Sequence, residues 1–214
     1  MTAVFDLEGT LTAGETWKGL ARYFRTHGQK AAYDRFFALH LPGALLTRAR
    51  LLPRRWYQNL WMRDLAGLFR GMDRRELEAV AEWVVETELW PGRKAKVLER
   101  LERHLVGGDR VVLASGTYQP VLEAFARRLG PRVQALGTPL EFRDGYATGR
   151  LAGPVNVGRI KAERVRAFLG GKPDYAYGDT AADLPLLALA RRPVAVDPDP
   201  RLEREARRRG FEVL

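Results

Sequence analysis

Three apolar stretches of strand length each run out onto a short polar motif, and this repetition restricts the fold more than any other feature. Asp6-Leu7-Glu8-Gly9-Thr10 follows Ala3-Val4-Phe5, Ser115-Gly116-Thr117 follows Val111-Val112-Leu113-Ala114, and Gly178-Asp179 follows Tyr175-Ala176-Tyr177. From residue 110 onward strand and helix patterns alternate: strands at 110–114, 133–136, 174–177 and 193–196, and helices at 120–129, 161–169, 182–190 and 200–209. A hairpin interrupts the series, with Arg143-Asp144-Gly145-Tyr146 as its turn. Such alternation predicts a parallel sheet covered by helices on both faces. In an open sheet of that kind the ligand crevice lies beyond the carboxyl ends of the strands, so motifs distant in sequence meet there.

The stretch between the first strand and residue 88 is different. Apolar residues recur there at helical spacing, as in Leu20, Tyr23, Phe24 and again in Leu77, Val80, Ala81, Val84, with no strand pattern. Pro42-Gly43, Pro53 and Gly71 divide it into about four helices. Pro91-Gly92 marks its end, and an amphipathic helix over 93–105 leads back into the sheet. The expected organisation is an α/β core of residues 1–13 and 89–214, with a Rossmann-like parallel sheet, and an inserted helical cap domain of residues 14–88.

Composition sets the outer limits. The 214 residues are 46% hydrophobic and 29% charged, as expected of a globular chain with a real core. The chain has no cysteine, which excludes disulfides, thiolate metal sites and a cysteine nucleophile. Nothing resembles a signal peptide or an apolar run of the ~20 residues that a membrane span needs. A cytoplasmic location is the expectation. The net charge is +10, concentrated between Gly14 and Arg75, where all five tryptophans but Trp83 and Trp90 also lie.

The polar motifs carry a recognisable chemistry. A carboxylate at the mouth of a strand, Asp6, can attack phosphorus and divide one hard displacement into two easier ones. Glu8 can protonate the leaving oxygen and later accept a proton from water. Ser115 and Gly116 offer a hydroxyl and free backbone N–H groups to an anion, and Thr10 can buttress its turn. Lys161 sits near a helix start, where the dipole disfavours a cation, which suggests a role on a phosphate oxygen. Asp179 and Asp183 add two more carboxylates. Like charges ~4 Å apart repel by ~4 kcal/mol at an effective dielectric near 20, so four acids in one crevice demand a hard cation such as Mg²⁺.

Together these residues resemble the haloacid dehalogenase superfamily of aspartate-nucleophile phosphohydrolases. Asp6-Leu7-Glu8-Gly9-Thr10-Leu11-Thr12 is similar to its first motif, Ser115-Gly116 to its second, Lys161 to its third, and Gly178-Asp179-Thr180-Ala181-Ala182-Asp183 to its fourth. The insertion after the first motif resembles the cap of the phosphoserine-phosphatase-like branch. The resemblance implies a Mg²⁺-dependent phosphomonoester hydrolase working through an aspartyl-phosphate on Asp6. Asp6, the carbonyl of Glu8, Asp179 and Asp183 would hold the metal; Ser115, Gly116, Lys161 and Thr10 would serve the phosphate. Glu8 departs from the Asp usual in the family, and similar members transfer the phosphoryl group to another alcohol. Asp179 and Asp183 argue against true dehalogenases, which work without a metal.

Substrate choice is expected from the cap. Glu15 resembles the glutamate that meets the ammonium of phosphoserine, and Arg48 or Arg50 is a candidate for its carboxylate. A second reading enlarges the substrate: the run from Leu41 to Tyr57 is apolar and basic together, which suits an anionic membrane surface and a lipid phosphate. More often such apolar residues pack a cap's own core. A nucleic-acid-binding module is disfavoured, since it would have no use for a phosphoryl-transfer set. His27, His40 and His104 share no motif, and surface or cap packing is expected for each.

Overall fold

The computed structural model describes residues 1–214 except for the side chains of Arg54 and Arg55. The chain opens with β1 (Thr2–Phe5) and enters the helical insertion: α1 (Thr16–Thr26), α2 (Lys30–Arg48), α3 (Arg54–Leu65) and α4 (Arg74–Val84). It returns through α5 (Ala95–Val106), β2 (Arg110–Tyr118), α6 (Gln119–Leu129) and β3 (Val133–Thr138). A hairpin of β4 (Leu140–Arg143) and β5 (Tyr146–Leu151) follows. Then come α7 (Gly158–Leu169), β6 (Tyr175–Gly178), α8 (Leu184–Leu189), β7 (Arg192–Ala195), α9 (Pro200–Arg209) and β8 (Glu212–Val213).

The sheet order is β3-β2-β1-β6-β7-β8, with every pairing parallel. The chain builds outward from β1 in one direction, then crosses to its other side at β6. The strand ends of β1, β2 and β6 therefore flank the point where the order reverses, which is where an open sheet forms its crevice.

Period-two alternation sorts the strand residues between two faces. Val4, Val112, Ala114 and Ala176 pack under α7, α8 and α9. Ala3, Phe5, Val111, Leu113 and Tyr177 face the other way, onto α5 and α6. That second core continues without a break into Leu20, Phe24, Leu77 and Val80 of the insertion. The insertion is thus packed to the sheet by a shared apolar core. The hairpin holds it from the far side: Gly71 donates to the carbonyl of Ala147, and Ala147 to that of Met72.

Most elements follow the sequence pattern, including the hairpin turn, where Asp144 and Gly145 both adopt positive φ as two-residue hairpin loops require. Three expectations change. Pro42-Gly43 does not end a helix, because α2 runs through both residues. The ring of Tyr57 lies so close to Gly43 that a Cβ there would come within 2.5 Å of it, and its hydroxyl donates to the carbonyl of His40 at 2.7 Å. Packing by α3 thus offsets the cost of proline inside a helix.

Strand β2 does not stop at Ala114 either; it resumes pairing at Tyr118 opposite Thr138, with the register broken between. Ser115 and Gly116 therefore lie in an interrupted strand, and α6 starts only at Gln119. His104, finally, is no surface or cap residue. It lies on α5 and bridges the Asp109 carboxylate at 2.7 Å and the Tyr177 hydroxyl at 2.9 Å, which ties that helix to β6.

Candidate active site

Residues from three distant parts of the sequence meet where β1 and β6 end and α7 and α8 begin. The carboxylates of Asp6, Asp179 and Asp183 each offer an oxygen, and these atoms lie within 4.8 Å of one another. The Lys161 ammonium, buried in the first turns of α7, donates to Asp6 Oδ1 at 2.8 Å and to Asp183 Oδ1 at 2.7 Å. One cation thus faces three carboxylates, which leaves an excess of negative charge in a buried place.

The local backbone makes room for this crowd. Gly9 adopts φ +81°, and a Cβ on it would fall 2.0 Å from Asp179 Oδ2. Any larger residue would both strain the turn and displace the carboxylate. Thr10 is fully buried and donates its hydroxyl to Asp179 Oδ1 at 3.2 Å, so it orients that carboxylate. The second oxygen of Asp183 accepts from the backbone and hydroxyl of Thr180 at 3.3 and 3.1 Å. Among the described residues no donor other than Thr10 reaches the Asp179 side chain.

The electrostatics follow from this packing. Burial raises the Asp6 carboxyl to about 6, with Lys161 opposing and Asp183 assisting. Burial, reinforced by Asp6 and Asp183, pushes Asp179 up to about 8. For Lys161, burial disfavours the charge, but Asp183 and Asp6 outweigh it and hold the ammonium above the usual lysine range. An all-oxygen donor set with surplus negative charge is what a hard divalent cation needs. Asp6, Asp179 and Asp183 fit Mg²⁺ on that ground, and a bound dication would bring the carboxyl values back down.

A stability prediction comes from the same values. Asp6 and Asp179 hold protons more tightly folded than unfolded, so the metal-free fold loses stability as pH rises from ordinary carboxylate values, near 3.8, through about 8. Protein stripped with a chelator should melt several degrees lower at about pH 8.5 than at about pH 5.5. Saturating Mg²⁺ should flatten that slope. A melting temperature independent of pH in the stripped protein would contradict the clustering.

Glu8 is outside the three-carboxylate group, though the charge of Asp6 still reaches it. Its carboxylate accepts from the backbone of Thr16 at 2.8 Å. Burial raises its pKa above that of an ordinary glutamate, with the Thr16 hydrogen bonds opposing. The Thr16 hydroxyl in turn pairs with that of Thr117 at 2.7 Å, linking the start of α1 to the interrupted part of β2.

The Ser115-Gly116 segment is held from behind. Asn156, fully buried, donates through Nδ2 to the carbonyls of Ser115 at 3.1 Å and Leu136 at 2.6 Å. The Thr138 hydroxyl donates to the carbonyl of Gly116 at 2.7 Å. Because C=O and N–H point in opposite directions across a planar peptide, these bonds turn the N–H groups of Gly116 and Thr117 away from β3. Asn156 and Thr138 escape a sequence reading, since a lone Asn or Thr carries no spacing signal. Replacing Asn156 by Ala should cost about 2 kcal/mol of stability and weaken inhibition by inorganic phosphate roughly tenfold. Unchanged phosphate inhibition would remove its positioning role.

Glu15 lies outside the Asp6-Asp179-Asp183 group but near Glu8, whose pKa its charge helps to raise. Glu15 is half-buried, and its carboxylate accepts from the Trp17 indole and from Lys18 Nζ at 3.0 Å. Arg48 ends α2 and Arg50 follows it with φ 61°; both are exposed. A cavity of about 1030 Å³ opens between α3 and the segment after β5, and its walls include Trp56, Asn59, Arg63, Arg150 and Val155, but neither Arg48 nor Arg50. Val155 also approaches Gly116, at 4.0 Å from where a Cβ would stand. None of Asp6, Glu8, Ser115, Gly116, Lys161, Asp179 and Asp183 lines this cavity.

The haloacid dehalogenase-like hydrolase family matches residues 3–188 of the chain. Phosphoserine phosphatase SerB1 of Mycobacterium tuberculosis is 37% identical over 141 residues, 64% of this chain and 44% of that protein. The chain thus spans less than half the length of that relative. A histidinol-phosphatase of Neisseria meningitidis is 28% identical over 234 residues, 99% of this chain and 97% of that protein. A solved structure of a Bordetella pertussis protein of unknown function is similar at a TM-score of 0.80 and 28% identity, covering 100% of this chain and 97% of that one.

Proposed function

The chain belongs to the haloacid dehalogenase-like hydrolases, and from that premise we propose that it hydrolyses phosphomonoesters through a phosphorylated Asp6. The observation that carries this reading is the meeting of Asp6, Asp179, Asp183 and Lys161 in one buried cluster. In the first step an Asp6 oxygen attacks phosphorus, the ester P–O bond breaks, and Glu8 gives its proton to the departing oxygen. In the second, Glu8 takes a proton from water as the water attacks phosphorus, and the bond to Asp6 breaks to release phosphate. The raised pKa of Glu8 supports the acid role, since it keeps a proton available at higher pH.

Asp6, Asp179, Asp183 and the Glu8 carbonyl would hold Mg²⁺, whose charge would offset the carboxylates and the phosphoryl oxygens. The N–H groups of Gly116 and Thr117, the Ser115 hydroxyl and the Lys161 ammonium would bind the phosphate. Residues 14–88 are proposed as the cap over a core of 1–13 and 89–214.

The substrate proposed first is a small phosphomonoester such as phosphoserine, which the Mycobacterium tuberculosis relative's name supports. A second reading is a bulkier phosphate ester such as a lipid phosphate, which the exposed Leu41, Leu45, Leu46, Leu51 and Trp56 among the arginines of the insertion support. Transfer of the phosphoryl group to a second alcohol in place of water fits the same cluster. A screen of amino-acid, sugar, nucleotide and lipid phosphates, with Mg²⁺ and with chelator, tests the proposal. Release of phosphate only with the metal is expected; no release from any ester would end it.

Glu8→Gln separates the acid role from binding. The variant should lose about 10²–10³-fold in kcat on alkyl phosphates. On p-nitrophenyl phosphate, whose leaving group needs no proton, the loss should be much smaller in the first step. Equal losses on both esters would contradict the assignment.

A further inference from the structure

We infer that the C-terminal half of α2 and the turn into α3 dock on an anionic lipid bilayer. Of its 19 residues α2 buries only Tyr33 and Phe36. Leu39 is 74% exposed, Leu45 58%, Leu51 70% and Trp56 56%, with Leu41 and Leu46 also in solvent. These side chains do not pack a cap core, which is what apolar residues at helical spacing ordinarily do. Phe37, Leu41 and Leu45 stand four residues apart and share one stripe of the helix. An exposed apolar surface of this kind marks an interaction site.

Charge selects the occupant. The segment from residue 35 to residue 63 contains Arg35, Arg48, Arg50, Arg54, Arg55 and Arg63 and neither Asp nor Glu. The two acids that flank it are engaged: Asp34 pairs with Arg25 and Lys30, and Asp64 with His40. A second copy seated on the same face would oppose arginine to arginine, since a two-fold interface pairs a surface with itself. Nucleic acid would meet the arginines but leave the leucines in water. A bilayer with anionic headgroups accepts both, the leucines and Trp56 entering the acyl boundary and the exposed Arg48 and Arg50 the phosphates. The contact is peripheral: among the described residues no helix is long and apolar enough to cross a membrane. Trp56 also lines the large cavity, so docking would bring the cavity mouth to the lipid surface. The docking itself does not depend on the phosphatase reading.

Sedimentation of the full chain with vesicles tests it. At physiological salt the protein should pellet with phosphatidylcholine–phosphatidylglycerol vesicles and remain in the supernatant with phosphatidylcholine alone. High salt should release part of it, because screening weakens the headgroup term. The double variant Leu45→Gln/Leu46→Gln should bind at least roughly tenfold more weakly, with unchanged melting temperature and unchanged hydrolysis of soluble p-nitrophenyl phosphate. Wild-type protein that stays in the supernatant with the anionic vesicles would overturn the inference. So would a dimer in sedimentation equilibrium that the double variant dissociates, since the face would then belong to a second copy. Vesicle binding with no phosphatase activity would sustain this inference and remove only the functional one.

Discussion

Asp6→Asn should leave a folded protein whose turnover is lower by on the order of 10⁴-fold or more. The substitution keeps the shape of the side chain and removes the anion that attacks phosphorus. Its effect on stability runs the other way. Asp6 is one of three carboxylates gathered around a single ammonium, and burial with Asp183 already raises its pKa to about 6. A neutral amide relieves part of that repulsion, while Lys161 keeps its bond to Asp183. The metal-free variant should therefore melt at or above the wild-type temperature at about pH 8. Loss of activity without loss of stability separates a reacting group from a structural one. Full activity in Asp6→Asn would end the phosphoenzyme reading.

Lys161→Met should act in the opposite sense on stability. Removing the ammonium leaves Asp6, Asp179 and Asp183 facing one another in a buried place, and breaking a buried ion pair by deleting one partner costs about 3–5 kcal/mol. For a chain of this length that corresponds to a fall of roughly 10 °C in melting temperature. The loss should be largest at high pH, where the carboxylates are ionised, and shrink as the pH falls and they protonate. Mg²⁺ should restore part of it by replacing the missing positive charge. Calorimetry of the stripped and Mg²⁺-loaded variant across pH reads all three effects. An unchanged melting temperature would mean that the lysine is not held between Asp6 and Asp183.

The sheet and the positions of its motifs were legible because they depend on local rules. Apolar runs of strand length, glycine and proline punctuation, and the Asp144-Gly145 turn each leave a mark within a few residues. Asp6 and Asp179 could be grouped from sequence because each follows a strand end in a parallel sheet, and Asp183 because it stands four residues beyond Asp179. The bonds that make the cluster work were not legible. Lys161 bridges two carboxylates 155 and 22 residues away, where its position near a helix start suggested only a phosphate contact. Thr10 reads as a turn residue, yet its hydroxyl meets Asp179 across 169 residues. Asn156 and Thr138 act on carbonyls of β2 through single hydrogen bonds that no pattern announces.

The insertion was harder still. Its helices followed the apolar spacing, but spacing cannot say which stripe meets a partner and which meets solvent. Pro42 reads as a break, and only the ring of Tyr57 against Gly43 accounts for the continuous helix. Arg48 and Arg50 are candidates by residue type alone, in a stretch without a motif. The arginines that wall the cavity between α3 and β5 are instead Arg63 and Arg150.

The identity of the phosphorylated residue is the most direct test. Protein mixed with a phosphomonoester and Mg²⁺, quenched in acid within a turnover and reduced with borohydride, converts an aspartyl-phosphate to homoserine. Peptide mass mapping should find homoserine at position 6 and at no other aspartate, and only when substrate is present. Steady phosphate release with Asp6 unmodified under conditions that trap other acyl phosphates would contradict the account.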